Sequence, residues 1–227
     1  MFFYLLTRGR TGSTAVIDEI DKSGTLLATQ ELFSLRTNWK MKDRFYVTFK
    51  YILPYDLWKK GTVLRGILLK LSFDGMFASL YLSKAESFTK DKTLLGFSFK
   101  VLSHHFVERP FLLKLLRKRN YKAIYLKRNI ARQVMSGMIA NQRGIYNSLE
   151  DVVDTQRYSI DLNEFSELVL WEKQCVENDC ELLKQKGFDF IVVSYEEFCD
   201  DKQSFFNKVF NFLQIPPPSC LKRVTIL

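Results

Sequence analysis

Residues 2–24, FFYLLTRGRTGSTAVIDEIDKSG, decide the fold of this chain. The continuous apolar run 2–7 is typical of a strand that is buried on both faces of a sheet. The polar loop 8–14 follows it, and the amphipathic segment 15–22 predicts a helix that stops before Gly24. Strand, glycine-bearing loop and helix, in this order, form the opening of a nucleotide-binding α/β fold.

Three more apolar runs are predicted to be strands of the same sheet, at residues 94–102, 121–126 and 190–194. Helical segments separate them, starting near residue 108 and covering residues 129–143, 162–186 and 202–213. Strands that alternate with helices favour a parallel sheet covered on both faces. No linker divides the chain, so we expect one α/β domain over residues 1–227 with a P-loop-like central sheet.

The segment 35–95 is rich in aromatic residues and is harder to interpret. Its aromatic side chains include Phe45, Tyr46, Phe49, Tyr51, Tyr55 and Trp58. Two interpretations stay open: packing in the core, to which aromatic residues contribute large buried areas, or a wall that contacts a sugar. The core interpretation is the favoured one.

Basic residues outnumber acidic ones by 34 to 25, which gives the 227-residue chain a net charge of +9. This excess fits a polyanionic partner, and it fits equally well a surface that is merely kept soluble by its charge. A nucleic-acid-binding protein would carry a basic stripe interleaved with exposed aromatic residues. Here the basic residues are spread along the chain, so a nucleic acid is not the expected partner.

The four cysteines, at positions 175, 180, 199 and 220, form no C-x-x-C pair, and the only two histidines are adjacent, at 104 and 105. Zinc therefore has no plausible ligand set, and reduced thiols are expected. No run approaches the roughly 18 apolar residues that span a bilayer, and Met1 leads almost directly into the first strand. We expect a cytoplasmic protein without stable membrane insertion.

The loop after the first strand has the composition of an anion-binding turn. A glycine loop between a strand and a helix presents backbone N–H groups at the positive end of the helix dipole. Gly12 allows close approach of a ligand, Ser13 and Thr14 add hydroxyl donors, and Arg8 and Arg10 add positive charge. A tight turn with incidental arginines is the purely structural alternative.

The loop does not match the common nucleotide-binding signatures. A Walker A motif needs a lysine before the hydroxyl residue, where this chain has Gly12, and G-x-G-x-x-G fails because residue 11 is threonine. No aspartate at the end of a later strand is an obvious Mg²⁺ ligand. A P-loop kinase or NTPase is therefore the nearest alternative enzyme, and the missing lysine and metal ligands count against it.

A second basic segment follows the strand at 121–126. In YLKRNIARQVMSGMIANQRG, residues 125–144, Arg128 is followed eight residues later by Ser136. A guanidinium offers bidentate contacts to phosphate, and the hydroxyl adds a neutral donor. Because the loop 8–14 also follows a strand, both segments are expected at the carboxyl edge of the sheet, where open α/β sheets bind ligands.

These segments, together with VVSYEEF at 192–198, resemble the signatures of sulfotransferases that use 3′-phosphoadenosine-5′-phosphosulfate (PAPS). The resemblance spans residues 3 to about 215 and is strong in these three segments. It is closest to the bacterial branch that sulfates glycolipids and nodulation-factor-type oligosaccharides, whose carbohydrate-acting members carry an arginine at the position of Arg10. It implies PAPS as cofactor, PAP as product and a carbohydrate or glycolipid-like acceptor.

The resemblance also implies roles for particular residues. The loop would bind the 5′-phosphosulfate through Arg8, Arg10, Thr11, Gly12, Ser13 and Thr14. Arg128 and Ser136 would bind the 3′-phosphate, and Tyr195 would lie near the adenine. The glycine-rich C-terminal loop of the phenol and steroid enzymes has no match here. Arg132, Arg143 or the Lys222–Arg223 pair could complete the 3′-phosphate site in its place.

Catalysis is expected to need positioning and charge stabilisation rather than a metal, with Arg10 stabilising the departing 5′-phosphate. Glu31 resembles the position of a proposed catalytic glutamate in the bacterial branch, and a solvated surface carboxylate is its alternative. Lys100 is expected to contact the sulfuryl group or the acceptor, or to form a structural salt bridge. His104 and His105 are candidates for acceptor contact or packing and are rival bases.

Two further questions stay open at the level of sequence. A homologue that binds PAPS without catalysis remains an alternative, because Glu31 alone speaks for a base. The identity of the acceptor and the oligomeric state are not determined, although a homodimer is common in the family.

Overall fold

The fold is built on five strands that alternate along the chain with helices. In this computed structural model the described residues are 1–35, 52–61, 74–144 and 156–216. The strands are β1 (Phe2–Thr7), β2 (Leu26–Thr29), β3 (Gly96–Leu102), β4 (Lys122–Lys127) and β5 (Phe190–Ser194). They form one open sheet in the order β2-β3-β1-β4-β5, and every neighbouring pair is parallel.

Helices connect these strands and lie on both faces of the sheet. Within the described ranges they are α1 (Ser13–Lys22), α2 (Tyr55–Gly61), α3 (Asp74–Asp91), α4 (His104–Glu108), α5 (Pro110–Lys118), α6 (Ile130–Arg143), α7 (Leu162–Gln185), α8 (Tyr195–Asp200) and α9 (Lys202–Leu213). The proline that was expected in a first turn begins α5, and Gly144 ends α6 with a φ of 65°.

Side chains alternate between the two faces of the sheet, as strand geometry requires. On β1, Phe3 and Leu5 pack against α1, α8 and α9, whereas Tyr4 and Leu6 pack against the layer that contains α3, α5 and α7. Because both faces of β1 are buried, its sequence is a continuous run of apolar residues. The expected α/β fold, with a parallel sheet flanked by helices, is confirmed.

The order of the strands creates a crevice between β1 and β4. The chain leaves β1 through α1, on one face of the sheet, and leaves the neighbouring β4 towards α7, which packs on the other face. Connections that diverge from adjacent parallel strands open a gap at the carboxyl edge, the usual ligand position in such sheets. The loop after β1 and the loop after β4 border this gap.

Strand β2 is the one strand of this sheet that was not predicted from the sequence. It has only four residues, LLAT, and pairs in parallel with β3 at the edge of the sheet. A run this short carries no periodicity that would separate it from the end of a loop. Its position matters because Glu31 follows two residues after its end.

The aromatic residues of the middle segment lie in the core where the structure describes them. Tyr55 is fully buried and packs against Phe33 and Tyr81, and Trp58 is stacked beside it. The remaining aromatic residues of that cluster, Phe45, Tyr46, Phe49 and Tyr51, lie outside the described residues.

Two expectations from composition can be compared with the described residues. Cys175, Cys180 and Cys199 are free thiols, and Cys220 lies outside those residues. Within the same ranges, no helix combines the length and the apolar character needed to cross a bilayer.

The close packing at Gly96 predicts that this position tolerates no side chain. A Cβ there would lie 2.3 Å from the Met1 carbonyl oxygen and 2.9 Å from a methyl group of Leu26. We expect Gly96→Ala to destabilise the protein by about 1–3 kcal/mol, because a backbone atom must move to make room. The free energy of unfolding in urea measures the effect.

The matched control is Gly75→Ala in α3, where the new Cβ would make an ordinary contact of 3.6 Å with Phe111. We expect this variant to stay within about 1 kcal/mol of the wild type, because alanine also favours a helix. Equal stability of the two variants would contradict the packing described for β3.

Candidate active site

The loop between β1 and α1 has the backbone geometry of an anion-binding turn. Arg10 and Gly12 both have positive φ angles, 65° and 80°. Gly12 is the N-cap of α1 and offers no side-chain acceptor, whereas Asn129 and Asp161 cap α6 and α7 through their side chains. Ala15 and Val16 donate to the Gly12 carbonyl, so the N–H groups of Ser13 and Thr14 are the ones that an anion could use at the positive end of the helix dipole.

Side-chain donors fix the orientation of the loop peptides. The carbonyl oxygens of residues 8, 9 and 10 accept hydrogen bonds from Thr11 at 3.2 Å, Gln133 at 2.9 Å and Arg128 at 3.1 Å. In a planar trans peptide the next N–H points away from the carbonyl oxygen. The N–H groups of residues 9–11 therefore point away from these donors. The Thr11 hydroxyl also contacts Thr7, so this side chain is turned inward.

The two predicted phosphate-binding segments lie together. Arg10 donates from Nε and Nη2 to the Ser136 hydroxyl oxygen, at 3.1 and 3.0 Å. Arg128 reaches the loop through its bond to the Arg10 carbonyl, while its Nε is buried and has no hydrogen-bond partner among the described residues. A buried guanidinium N–H without an acceptor is costly, so this atom fits a bound anion.

A cavity of about 490 Å³ opens beside these groups. The polar and aromatic side chains that line it are Arg10, Arg128, Arg132, Arg143, Ser136 and Phe165. No Asp or Glu occurs among the described residues of its lining. Its volume lies within the range of small-molecule sites, and its charge suits an anion. Arg132 and Arg143, two of the candidates for completing a phosphate site, thus line the same cavity as Ser136, whereas Lys222 and Arg223 lie outside the described residues.

Tyr195, the first residue of α8, covers the loop from the other side. Its ring lies against Gly12 so closely that a Cβ on this glycine would come within 2.2 Å of it. The Arg128 guanidinium lies 5.2 Å from the centre of the same ring, a cation–π distance. The third predicted segment therefore meets the other two at this point.

Arg8 is directed away from the cavity, towards α7. Its Nε donates to Glu172 at 2.6 Å, its Nη1 lies 3.4 Å from Asp179, and its guanidinium lies over the ring of Trp171. All of these partners belong to one helix. A phosphate-binding role for Arg8 would require this ion pair to open.

Glu31 and Lys100 form an ion pair beside the start of α1. Lys100 Nζ lies 2.9 Å from Glu31 Oε1 and 3.3 Å from the hydroxyl oxygen of Thr14, and the lysine is almost fully buried. The ammonium group thus contacts both the candidate base and the loop. Gln30, the residue before Glu31, is buried and donates to Asp18 of α1, which ties this segment to the helix.

The two histidines have different environments. His105 is completely buried, and its Nδ1 accepts the N–H of Leu102 at 3.3 Å, which leaves the proton of the neutral ring on Nε2. That nitrogen faces Glu31 Oε2 at 3.7 Å. His104 is exposed and contacts the His105 ring edge-on. Only His104 is therefore open to direct contact with an acceptor in this conformation.

These contacts set the charges of the site. Burial pushes the pKa of the Glu31 carboxyl upward, but attraction to Lys100 and to the histidines outweighs it, so this pKa lies below its usual value. Burial lowers the pKa of His105 to about 4, against the attraction of Glu31. At neutral pH Glu31 is therefore a carboxylate and His105 is a neutral imidazole.

Three potential metal-ligating side chains do come together. His104, His105 and Glu108 each place one ligand atom within 4.8 Å of the others. The expectation that no metal is needed was based on the sequence, in which the two histidines are adjacent and no further ligand stood out. Nδ1 of His105 accepts a backbone N–H, whereas its buried Nε2 lies 3.7 Å from Glu31 and has no hydrogen-bond partner among the described residues. The proximity of three such side chains does not by itself make a metal site.

The structure adds residues that the sequence reading did not single out. Gln133 of α6 and the carboxylates Glu172 and Asp179 of α7 bind the loop and the neighbouring strand ends. Their signal in the sequence is weak, since a Gln or Glu on a long helix usually faces solvent. The one hint is the position of Gln133 between Arg128 and Ser136, three residues before Ser136 on the same helix.

No model of a known protein family matches this chain, and a search of curated proteins finds no relative.

The buried histidine predicts a loss of stability in mild acid. The folded pKa of His105, about 4, lies below the ordinary 6.5, so the unfolded chain binds a proton first as the pH falls. Stability is therefore lost between about pH 6.5 and pH 4, by about 2–3 kcal/mol from this group alone. Thermal unfolding across that range measures it.

His105→Gln should flatten the dependence of stability on pH in this window, since it removes the group that titrates. His104→Gln is the matched control, because that ring is exposed, and it should leave the slope in place. An unchanged slope in His105→Gln would show that other groups cause the acid lability.

Proposed function

We propose that this protein is a sulfotransferase that moves a sulfuryl group from PAPS to a hydroxyl of a carbohydrate or glycolipid-like acceptor and releases PAP. The observation that carries the proposal is the meeting of three distant segments. The loop 8–14, the Arg128–Ser136 pair and Tyr195 were each matched to a donor-binding role by sequence, and their side chains contact one another.

The geometry supports a division of the donor between two positions. The start of α1, with Gly12, Ser13 and Thr14, would bind the 5′-phosphosulfate in a P-loop-like manner through N–H groups and hydroxyls. Arg128 and Ser136 would bind the 3′-phosphate, and the buried, unpartnered Nε of Arg128 would gain its acceptor from the ligand. The backbone of Arg10 belongs to the loop at the first position, and its guanidinium contacts Ser136 of the second.

The adenine would lie near Tyr195, whose ring already has a guanidinium on it. Arg132, in the first turn of α6, would supply the positive charge that the missing glycine-rich loop provides in other enzymes of this kind. It lines the cavity and is exposed towards it. A cavity with several arginines and no described acidic side chain fits a ligand with several negative charges.

In the transfer step the acceptor oxygen attacks sulfur, and the bond between sulfur and the 5′-phosphate oxygen breaks in line with it. The acceptor proton would pass to Glu31, and the new negative charge would remain on the 5′-phosphate of PAP, stabilised by Arg10 and the α1 N–H groups. The step needs no oxidant, and its charges are balanced by groups of this chain.

Glu31 suits the role of proton acceptor by its ionisation and position. It is a carboxylate at neutral pH, and Lys100 links it to Thr14 at the start of α1. The same ammonium group could contact the sulfuryl oxygens while it holds the carboxylate. His105, being buried, would act behind Glu31, and exposed His104 is the histidine suited to touch an acceptor.

The binding test is a calorimetric and thermal-shift titration with PAP, ADP and ATP, with and without Mg²⁺. We expect selective stabilisation by PAP without metal, amounting to about 2.7 kcal/mol at 100 times the dissociation constant. Arg128→Gln should weaken PAP by about tenfold or more, because a bidentate charged contact is lost.

Arg117→Gln is the matched control for this test, since Arg117 is an arginine at a helix end away from the cavity and bonds only to the Lys186 carbonyl among the contacts described for it. A preference for ATP with Mg²⁺ would favour a nucleotide kinase instead. The absence of any response to nucleotides would refute the proposed donor site.

The catalytic test is Glu31→Gln, assayed with labelled PAPS and a panel of oligosaccharide and glycolipid acceptors. Turnover should fall by about 10² or more if Glu31 is the base, while the affinity for PAP changes little. Glu167→Gln, an exposed carboxylate on α7, is the control. Full turnover in Glu31→Gln would remove this residue from the proton transfer, and no turnover in any wild-type assay would favour a non-catalytic PAPS-binding protein.

A further inference from the structure

The loop 8–12 is held from behind by a closed ring of polar contacts. Arg8 Nε donates to Glu172 Oε1 at 2.6 Å, and Gln133 Nε2 donates to the same oxygen at 2.7 Å. The second hydrogen of the Gln133 amide goes to the carbonyl oxygen of Gly9 at 2.9 Å. Since Gly9 is bonded to Arg8, the contacts return to the residue where they began.

Each member of the ring is fixed by its partners. Both neighbours of the Gln133 side chain are acceptors, so its NH₂ group, not its oxygen, must face them. Glu172 and Gln133 are almost completely buried, at 7% and 5% exposure, which strengthens their contacts and excludes water as a substitute. The Gly9 carbonyl is therefore held in one direction.

Holding that carbonyl also directs a donor on the opposite side. The peptide between Gly9 and Arg10 is planar, so its N–H points away from the buried Gln133 amide, out of the interior. The next carbonyl, that of Arg10, is held by Arg128, which lies in the short connection between β4 and α6, two residues before the helix begins. Arg128 and the first turns of α6 thus set two successive peptides of the loop.

We infer that Gln133 and Glu172 are positioning residues that hold the loop 8–12 in its anion-binding conformation. They touch no ligand themselves and act through the Gly9 carbonyl and the Arg8 side chain. The inference rests on the proposed function only in the identity of the anion, PAP. The orientation of the loop peptides can be tested without any ligand.

Asp179 offers a matched control within the same network. It is a second partly buried carboxylate of α7, two helical turns from Glu172, and it also lies near Arg8. It accepts hydrogen bonds from Ser103 and Tyr125 and has no described contact with Gln133 or with a loop carbonyl. Since its contact with Arg8 is the longer of the two ion pairs, at 3.4 Å, Asp179→Asn should lower stability and disturb the loop far less than a change at Gln133.

The experiment compares Gln133→Met with Asp179→Asn in the full-length protein. We expect Gln133→Met to weaken PAP binding about tenfold or more, measured by calorimetry, and Asp179→Asn to change it less than about threefold at a similar loss of melting temperature. Amide hydrogen exchange at residues 9–12, measured without ligand, should accelerate in Gln133→Met only.

Glu172→Gln is the second variant, for the case in which Gln133→Met does not fold. It keeps the size of the side chain and one acceptor oxygen, and it should shift both measurements in the same direction by a smaller amount. Equal effects of Gln133→Met and Asp179→Asn on affinity and on loop exchange would overturn the inference. If the wild type does not bind PAP, the donor assignment fails, and loop exchange alone still decides the positioning role.

Discussion

Peptide groups that are turned into a protein interior must find hydrogen-bond partners there, and the loop after β1 meets this constraint with side chains instead of backbone. Helix α6 supplies the donor Gln133 and the acceptor Ser136, which binds Arg10, and Arg128, two residues before the helix, supplies a second donor. The place of α6 beside the sheet is thus tied to the conformation of the loop. With the loop carbonyls satisfied from within, the start of α1 can face the crevice between β1 and β4.

The same arrangement explains why helix α7 carries carboxylates next to a site that should bind anions. A buried charge is tolerated when it is paired, and Arg8 pairs with both Glu172 and Asp179. The positive charge of Arg8 is used within the protein, so attraction of an anion depends on Arg10, Arg128 and the other arginines of the cavity. Arg8, although it belongs to the loop that is proposed to bind phosphate, therefore serves to hold this loop against α7.

The sequence was sufficient to predict the parallel sheet and the meeting of the segments that are proposed to bind phosphate, because the carboxyl ends of parallel strands share one edge. It could not predict the direction of Arg8, since the partners that decide it lie 164 and 171 residues away. Nor does an adjacent pair of histidines reveal that His105 is buried while His104 is exposed. Contacts distant in sequence decide side-chain direction, whereas strand position follows from local pattern.

Gln133 and Ser136 lie on α6 and Arg128 lies two residues before its start, and this placement has a consequence for how the chain can change in evolution. An α-helix turns by about 100° per residue, so one inserted or deleted residue between these positions would rotate the later groups away from the loop. Surface connections can vary in length with little effect on a fold. The segment from residue 128 to residue 136 should instead keep a constant length while its outward-facing residues are replaced freely.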